Sequence, residues 1–227
     1  MSAVVRSRAG QLRRSQATRG RILEAATRLF LRDGYLATTM AAIAAEAGVA
    51  VQSLYLRFGS KLAILSDALD VAVVGDEQPV PLLERPWVQQ LVAAADGPTA
   101  VRLFVAQTRR ICERTYPLYA VLRAAAASEA GDLLAENHRQ RYAGVHAVAE
   151  LLSQKRGFAS ALGMDKAADL LYALATEDNY GLLVAERGWT ADDWEAWCGD
   201  AVTGMLFPMR KPGSRPAPVR AATASGL

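Results

Sequence analysis

The fold of this chain is decided by residues 48 to 61, GVAVQSLYLRFGSK. If this stretch is helical, Leu54 and Phe58 are four residues apart and share one buried face. The opposite face carries a carboxamide at Gln52, hydroxyl groups and the cation of Arg57, but no acidic residue. A solvated helix face usually mixes both signs of charge, so this face is predicted to contact a partner.

The neighbouring segments are predicted to be short helices as well. Apolar residues between positions 22 and 30 recur at i, i+4, i+7 and i+8, which is the spacing of one buried helix face. Gly34 favours the left-handed conformation at a helix end, and Thr38-Thr39 offers a hydroxyl cap for the next helix. The predicted helices cover residues 16–33, 39–47, 50–57 and 60–74.

Three short helices with a glycine turn between the second and third are typical of a helix-turn-helix unit. Its last helix enters the major groove of DNA, where Gln52 can pair with adenine and Leu56 can meet a thymine methyl. Tyr55 and Lys61 can reach phosphates, and so can the backbone N–H groups at the start of the second helix. The predicted DNA-binding residues are Thr38, Thr39, Val51, Gln52, Ser53, Tyr55, Leu56, Arg57 and Lys61.

The charge distribution supports this interpretation. The net charge is +3, but residues 1–61 carry ten Arg or Lys against three acidic residues, and residues 62–207 carry twelve against twenty. A basic head on an acidic body indicates that the head meets a polyanion, double-stranded DNA in this case. The alternative is an inert basic arm, which a charge difference over a whole folded segment makes less convincing.

The rest of the chain is predicted to be helical, because no alternating β pattern of useful length occurs. Prolines mark a loop over residues 75–86. The fold class is therefore all-α, with a helix-turn-helix domain at 16–61 and a helical ligand-binding and dimerisation domain at 62–207. Residues 1–15 are expected to be a disordered basic arm and residues 208–227 a disordered tail. The predicted helices of the body are 86–95, 98–115, 117–127, 129–155, 165–187 and 191–206.

Residues 19–65 resemble the DNA-binding domain of the tetracycline-repressor (TetR) family. The resemblance rests on the run I-L-x-A-A-x-x-L-F from Ile22, on Gly34 and Thr38-Thr39, on Ala47-Gly48-Val49, and on Leu54-Tyr55, Phe58 and Lys61. One departure is Ala50, where the family often starts its recognition helix with a hydroxyl residue. The resemblance implies a transcriptional regulator, most often a repressor, that binds a palindromic operator as a homodimer and is released by a small molecule.

Two sets of residues in the body are candidates for these further roles. Polar groups set among apolar ones could line a ligand cavity: Tyr119, Tyr142, His146, Tyr172, Thr176 and Asn179. Apolar side chains of the last two helices could form a dimer interface, or could belong to the monomer core: Leu171, Leu174, Leu182, Trp194, Trp197, Ala201 and Met205.

Other classes of protein fit the sequence less well. No H-E-x-x-H, phosphate loop or G-x-S-x-G is present, so an enzyme is a weak alternative, and a helical adaptor does not explain the basic head. Cys112 and Cys198 are far apart in sequence, and His138 and His146 are about 12 Å apart on one helix, so no metal site is expected. No cofactor is expected, and without a membrane span or signal peptide the protein is expected to be soluble and cytoplasmic.

Overall fold

A computed structural model describes residues 3–76 and 80–208. The fold is all-α, as predicted, and no β-strand occurs in the part of the chain described. None of the helices in these two ranges combines the length and the apolar character that a membrane-spanning segment needs. The helices are α1 Ala3–Ala37, α2 Met40–Ala47, α3 Val51–Phe58, α4 Lys61–Val74, α5 Pro86–Ala93, α6 Gly97–Ala125, α7 Gly131–Ser153, α8 Met164–Leu174, α9 Glu177–Tyr180 and α10 Ala191–Leu206.

The first helix starts much earlier than predicted. Residues 3–15, expected to be a disordered arm, continue α1 without a break. No proline interrupts this segment, and its Ala, Leu, Gln and Arg residues are good helix formers that extend a helix already fixed by packing. The expected end at Gly34 is a sharp interruption of the helical backbone, with φ 79° and ψ 167°. The expected tail from 209 onward lies outside the described residues.

The helices of the head have the predicted caps. The Thr39 hydroxyl accepts from the Ala42 N–H and starts α2, and Gly48 ends α2 in the left-handed conformation. Ala50 precedes α3 and makes no side-chain cap, so this helix begins without the hydroxyl cap common in the resembling family. The Ser60 hydroxyl accepts from the Ala63 N–H and starts α4.

Two predicted boundaries in the body are wrong. The break expected between 115 and 117 does not occur, because α6 runs through Pro117. A proline inside a helix costs about 3 kcal/mol. Burial of Leu118, Tyr119 and Leu122 on one face of α6 offsets that cost.

The expected helix at 165–187 is also interrupted. The backbone leaves the helical region at Ala175, and the Thr176 hydroxyl then accepts from the Asn179 N–H to cap α9. A wide π-helical segment, Gly181–Glu186, follows. Gly181 is required there, because a Cβ would lie 2.0 Å from a ring carbon of Tyr116.

Two hydrophobic cores share α6. The head core combines α1 to α4 with Leu118, Tyr119 and Leu122 from the C-terminal half of α6. The body core contains the N-terminal half of α6 with α7, α8 and α10. Packing of the head therefore extends beyond position 61, the predicted domain boundary, and a rigid helix connects the two cores.

Candidate DNA-binding surface and ligand cavity

Helix α3 presents one continuous exposed face. Leu54 is 0% exposed and anchors the helix in the head core, whereas Leu56 is 89% and Tyr55 54% exposed. Gln52, Ser53 and Arg57 are exposed beside them, and α3 contains no acidic residue. The structure thus brings the predicted contact residues of α3 together on one surface that carries hydrogen-bonding groups and a positive charge.

The start of α2 lies on the same head, but its two threonines differ. Thr39 is exposed and caps the helix. Thr38 is only 1% exposed, and its hydroxyl donates to the Gly34 carbonyl at 2.8 Å. The Thr38 side chain is therefore occupied inside the head, and the exposed polar side chain at this end of α2 is that of Thr39.

Lys61 connects α4 to the turn between α1 and α2. Its ammonium group donates to the carbonyls of Tyr35 at 2.7 Å and Thr38 at 2.9 Å. It also lies 4.1 Å above the centre of the Tyr35 ring. An ammonium has three donors, so one remains for a phosphate, and the predicted DNA contact of Lys61 stays a prediction.

Arg57 links α3 to the N-terminal part of α1, where its Nη2 donates to Ser15 Oγ at 2.9 Å. Arg57 is exposed and Ser15 is half-buried. No local sequence pattern predicts this contact, because it depends on the helical continuation of α1 before Gln16. It places the exposed Arg14 next to a residue that contacts α3.

A cavity of about 520 Å³ lies beneath the head, inside the body. Its walls come from α4, α5, α6 and α7, from the segment before α5, and from the junction of α8 and α9. Most of the lining is apolar, which is usual for small-molecule sites. The main lining residues are Asp70, Val73, Leu82, Leu83, Trp87, Phe104, Gln107, Thr108, Ile111, Cys112, Asn137, Gln140, Arg141, Gly144, Val145, Val148 and Glu177.

Arg141 is the central polar group of this cavity. Its Nη1 forms an ion pair with the buried Glu177 carboxylate, and its Nη2 donates to the Tyr172 hydroxyl at 3.2 Å. The guanidinium carbon lies 4.8 Å from the centre of the Tyr172 ring. Burial lowers the pKa of Arg141, but the charge of Glu177 and the Tyr172 hydrogen bond outweigh burial, and the net pKa is raised. Arg141 is therefore a permanent cation, held in place by its surroundings.

None of the predicted ligand residues is among the residues that line the cavity. Tyr119 is buried and its hydroxyl contacts His138 Nε2 at 2.8 Å, and burial raises its pKa to about 12. The Tyr172 hydroxyl accepts a hydrogen bond from Arg141, and the Tyr172 ring lies against the guanidinium group. The remaining four make structural contacts: Tyr142 with Asp169, His146 with Glu150, Thr176 as the cap of α9, and Asn179 with the Trp194 indole.

The residues that do line the cavity follow a pattern that sequence reasoning missed. Asn137, Arg141, Val145 and Val148 recur at i, i+4, i+8 and i+11 along α7, which is one face of a helix. The face is polar at one end and apolar at the other. A search for a helix face that carries one arginine and changes from polar to apolar along its length could have found it.

The predicted dimer residues fall into two groups. Leu171 and Trp194 are each 0% exposed and belong to the body core, so they cannot face a partner. The others retain exposed surface, and Trp197 packs edge-on against Trp189 with ring centres 6.0 Å apart. In this second group Leu182 and Met205 are exposed, and Leu174, Trp197 and Ala201 are half-buried.

Metal binding has no geometric support in the described ranges. No group of three or more His, Cys, Asp or Glu side chains is close enough there to hold an ion. Burial raises the pKa of both thiols, that of Cys198 to about 12. Neither cysteine is therefore a ready thiolate at neutral pH.

Comparisons with known proteins agree with this architecture. Native NalD of Pseudomonas aeruginosa, the secondary repressor of the MexAB-OprM multidrug efflux pump, is 20% identical, with a TM-score of 0.64 over 86% of this chain and 100% of that chain. A putative TetR-family regulator from Rhodococcus sp. is 17% identical, with a TM-score of 0.65 over 83% and 98%. A putative regulator from Saccharomonospora viridis, in complex with choline, is 21% identical, with a TM-score of 0.61 over 85% and 98%.

These structural similarities establish the fold. No curated protein matches the sequence. The sequence profile of the family described as "Bacterial regulatory proteins, tetR family" matches residues 22–68, which contain the core of α1 and all of α2 and α3. The predicted family resemblance and fold class are confirmed, and residues 22–68 form an N-terminal helix-turn-helix domain of the tetR family of bacterial regulatory proteins.

Proposed function

We propose that this protein is a homodimeric repressor that binds a palindromic operator and is released by a small molecule held in the body. The observation that carries the proposal is the position of α4. This helix starts directly after the exposed α3, and its residues Asp70 and Val73 form part of the cavity wall. A ligand that contacts α4 can act on the orientation of α3.

The end of α4 is held by α6. Arg114 Nε donates to the Ala72 carbonyl at 2.8 Å, and Arg114 Nη2 donates to the Val73 carbonyl at 3.0 Å. The start of α4 is held by Lys61. A ligand between α4, α6 and α7 therefore contacts a helix, α4, that is held by hydrogen bonds at both of its ends. Such a ligand changes the spacing of the two heads only to the extent that its affinity differs between the conformation that binds DNA and the conformation that releases it.

The charged head should make operator binding strongly dependent on salt. Each phosphate that the protein neutralises releases condensed counterion, with a log–log slope near −0.9 per contact. We expect the affinity to fall steeply between low and high salt, as measured by fluorescence anisotropy with labelled operator DNA. An affinity that does not change with salt would contradict DNA attachment through the head, and would favour the adaptor or enzyme alternatives.

Gln52 and Lys61 should show different mutant profiles. Gln52→Ala removes a side chain placed to read a base, and we expect it to cost about 1–3 kcal/mol against the preferred base at one position of each half-site. Lys61→Ala should weaken binding to all operator variants alike and lower the thermal stability, because two hydrogen bonds to the α1–α2 turn are lost. Identical profiles across the operator variants would show that the roles are assigned wrongly.

The proposal as a whole is tested by selecting bound sequences from random DNA. A palindrome with two half-sites is the expected result, because a two-fold dimer places two copies of α3 in successive major grooves. Selection of a single, unrepeated half-site would contradict the dimer. NalD, whose fold is similar, is a repressor, and the similar regulator from S. viridis holds choline, which supports both halves of the proposal.

A further inference from the structure

Three side chains that line the cavity each carry one buried polar atom that lacks a hydrogen-bond partner within the described residues: Trp87 Nε1, Asn137 Oδ1 and Arg141 Nε. Buried polar groups in folded proteins are nearly always paired, because an unmade hydrogen bond costs free energy. The three atoms come from α5 and α7, on different walls of one cavity. Their common location indicates a molecule that completes them.

The three atoms define the hydrogen-bonding groups of that molecule. The Trp87 indole N–H and the Arg141 Nε–H only donate, and Asn137 Oδ1 only accepts. A matching molecule must carry acceptor oxygen for the two donors and an N–H or O–H for Asn137.

The charges around Arg141 indicate that this molecule is neutral. Among the described lining residues the charged ones are Asp70, Arg141 and Glu177. Arg141 is paired with Glu177, and Asp178 lies 3.8 Å from its Nη2. An added carboxylate would meet surroundings that are already negative. An added cation would compete with Arg141 and with the Thr115 hydroxyl, which donates to Glu177 at 3.2 Å.

The residues of the cavity wall indicate that the bound molecule also has an apolar part. Asn137 and Arg141 lie near the start of α7, and Val145 and Val148 follow on the same face, with Phe104 also in the lining. A molecule with a polar head at Asn137 and Arg141 can lay an apolar chain along these residues. The volume of about 520 Å³ is within the usual range for small-molecule sites.

We infer that the cavity takes an uncharged amphipathic molecule of the fatty-amide type, with a carbonyl oxygen and an N–H on one apolar chain. The inference rests on the proposed function, because it names the chemical class of the molecule that releases the DNA. Carboxylic acids and quaternary ammonium compounds of the same chain length are excluded by the charge balance around Arg141.

Three probes with one chain length and different heads test this class: decanamide, decanoate and decyltrimethylammonium. Calorimetric titration of the full-length protein should show decanamide binding roughly tenfold or more tightly than either charged probe, because decanoate has no donor for Asn137 and decyltrimethylammonium has neither a donor nor an acceptor. Stronger binding of decanoate or decyltrimethylammonium would overturn the neutral class and leave a ligand-responsive regulator in place. Binding of none of the three, as for a cavity filled by water only, would overturn the inference.

A pair of variants tests the polar contact itself. N,N-dimethyldecanamide keeps the carbonyl but has no N–H, so the wild-type protein should bind it several-fold more weakly than decanamide. In Asn137→Leu the two amides should bind alike, because the acceptor is gone. Gln140→Leu is the matched control: Gln140 lines the cavity but already donates to Glu136 at 2.8 Å, and the preference should persist. Loss of the preference in both variants, or in neither, would overturn the contact. These titrations contain no DNA, so failure of operator binding would be seen separately.

Discussion

Trp197→Glu is expected to convert the protein into a monomer that keeps its helices and loses operator binding. Trp197 is half-buried on α10 and packs edge-on against the exposed Trp189. We expect it to form, with Leu182 and Met205, which are 49% and 37% exposed, an apolar surface that a second copy covers. In a two-fold symmetric interface the same surface of both subunits is in contact, so one substitution places a new carboxylate on each side of the interface.

The loss of operator affinity should be large, because a monomer has one head and can contact only one half-site of the operator. Specific DNA binding typically exceeds non-specific binding by about 10³-fold or more, and the monomer should lose most of that ratio. Analytical ultracentrifugation measures the mass, circular dichroism the helix content, and anisotropy the operator affinity.

Trp197→Phe is the matched control, and it should remain dimeric because the apolar surface is kept. A Trp197→Glu protein that stays dimeric would place the interface elsewhere. A protein that unfolds would show that Trp197 belongs to the monomer core, together with Trp194.

Gly144→Phe is expected to close the cavity while leaving DNA binding intact. Gly144 lines the cavity on α7, and a Cβ added there meets nothing within 4 Å. The new ring can therefore enter the cavity without displacing backbone. Glycine is also the poorest helix former after proline, so the free energy of unfolding should stay unchanged or rise by about 0.5 kcal/mol.

Nile red, a neutral dye that fluoresces in apolar surroundings, reports the cavity directly. The wild-type protein should bind it saturably, and Gly144→Phe should bind it at least tenfold more weakly, since the ring occupies the same volume. Operator affinity should be equal for the two proteins.

Ala135→Phe is the control, because Ala135 is exposed on the same helix and does not line the cavity. Undiminished dye binding by Gly144→Phe would show that the dye, and by extension an effector, binds elsewhere.

The sequence by itself determined the head and the fold class. Its signals are local: an apolar period of three to four, the Thr39 and Ser60 hydroxyl caps, and glycines at helix ends, each of which acts within one turn of helix. For that reason the predicted α2, α3 and α4 agree with the structure to within a residue or so. The same apolar spacing predicts that Leu54 is buried, and the burial of Leu54 determines which face of α3 is exposed.

The tertiary structure decided everything that depends on which helices meet. Pro117 predicts a break by local rules, but burial of Leu118 and Leu122 in the head core keeps α6 continuous. Nothing in the sequence pattern predicts a new helix at Thr176, yet its hydroxyl caps α9, and Gly181 at the end of α9 leaves room for the Tyr116 ring.

The cavity is the clearest case of this dependence. Tyr119 and Tyr172 look like ligand residues because they are polar groups among apolar neighbours, and they turn out to contact His138 and Arg141 instead. Whether a polar side chain faces a cavity or another side chain depends on helices far apart in sequence. Trp194 is a predicted dimer contact because it belongs to the apolar side chains of the last helix. Its packing against α8 and α9 places it inside the core instead.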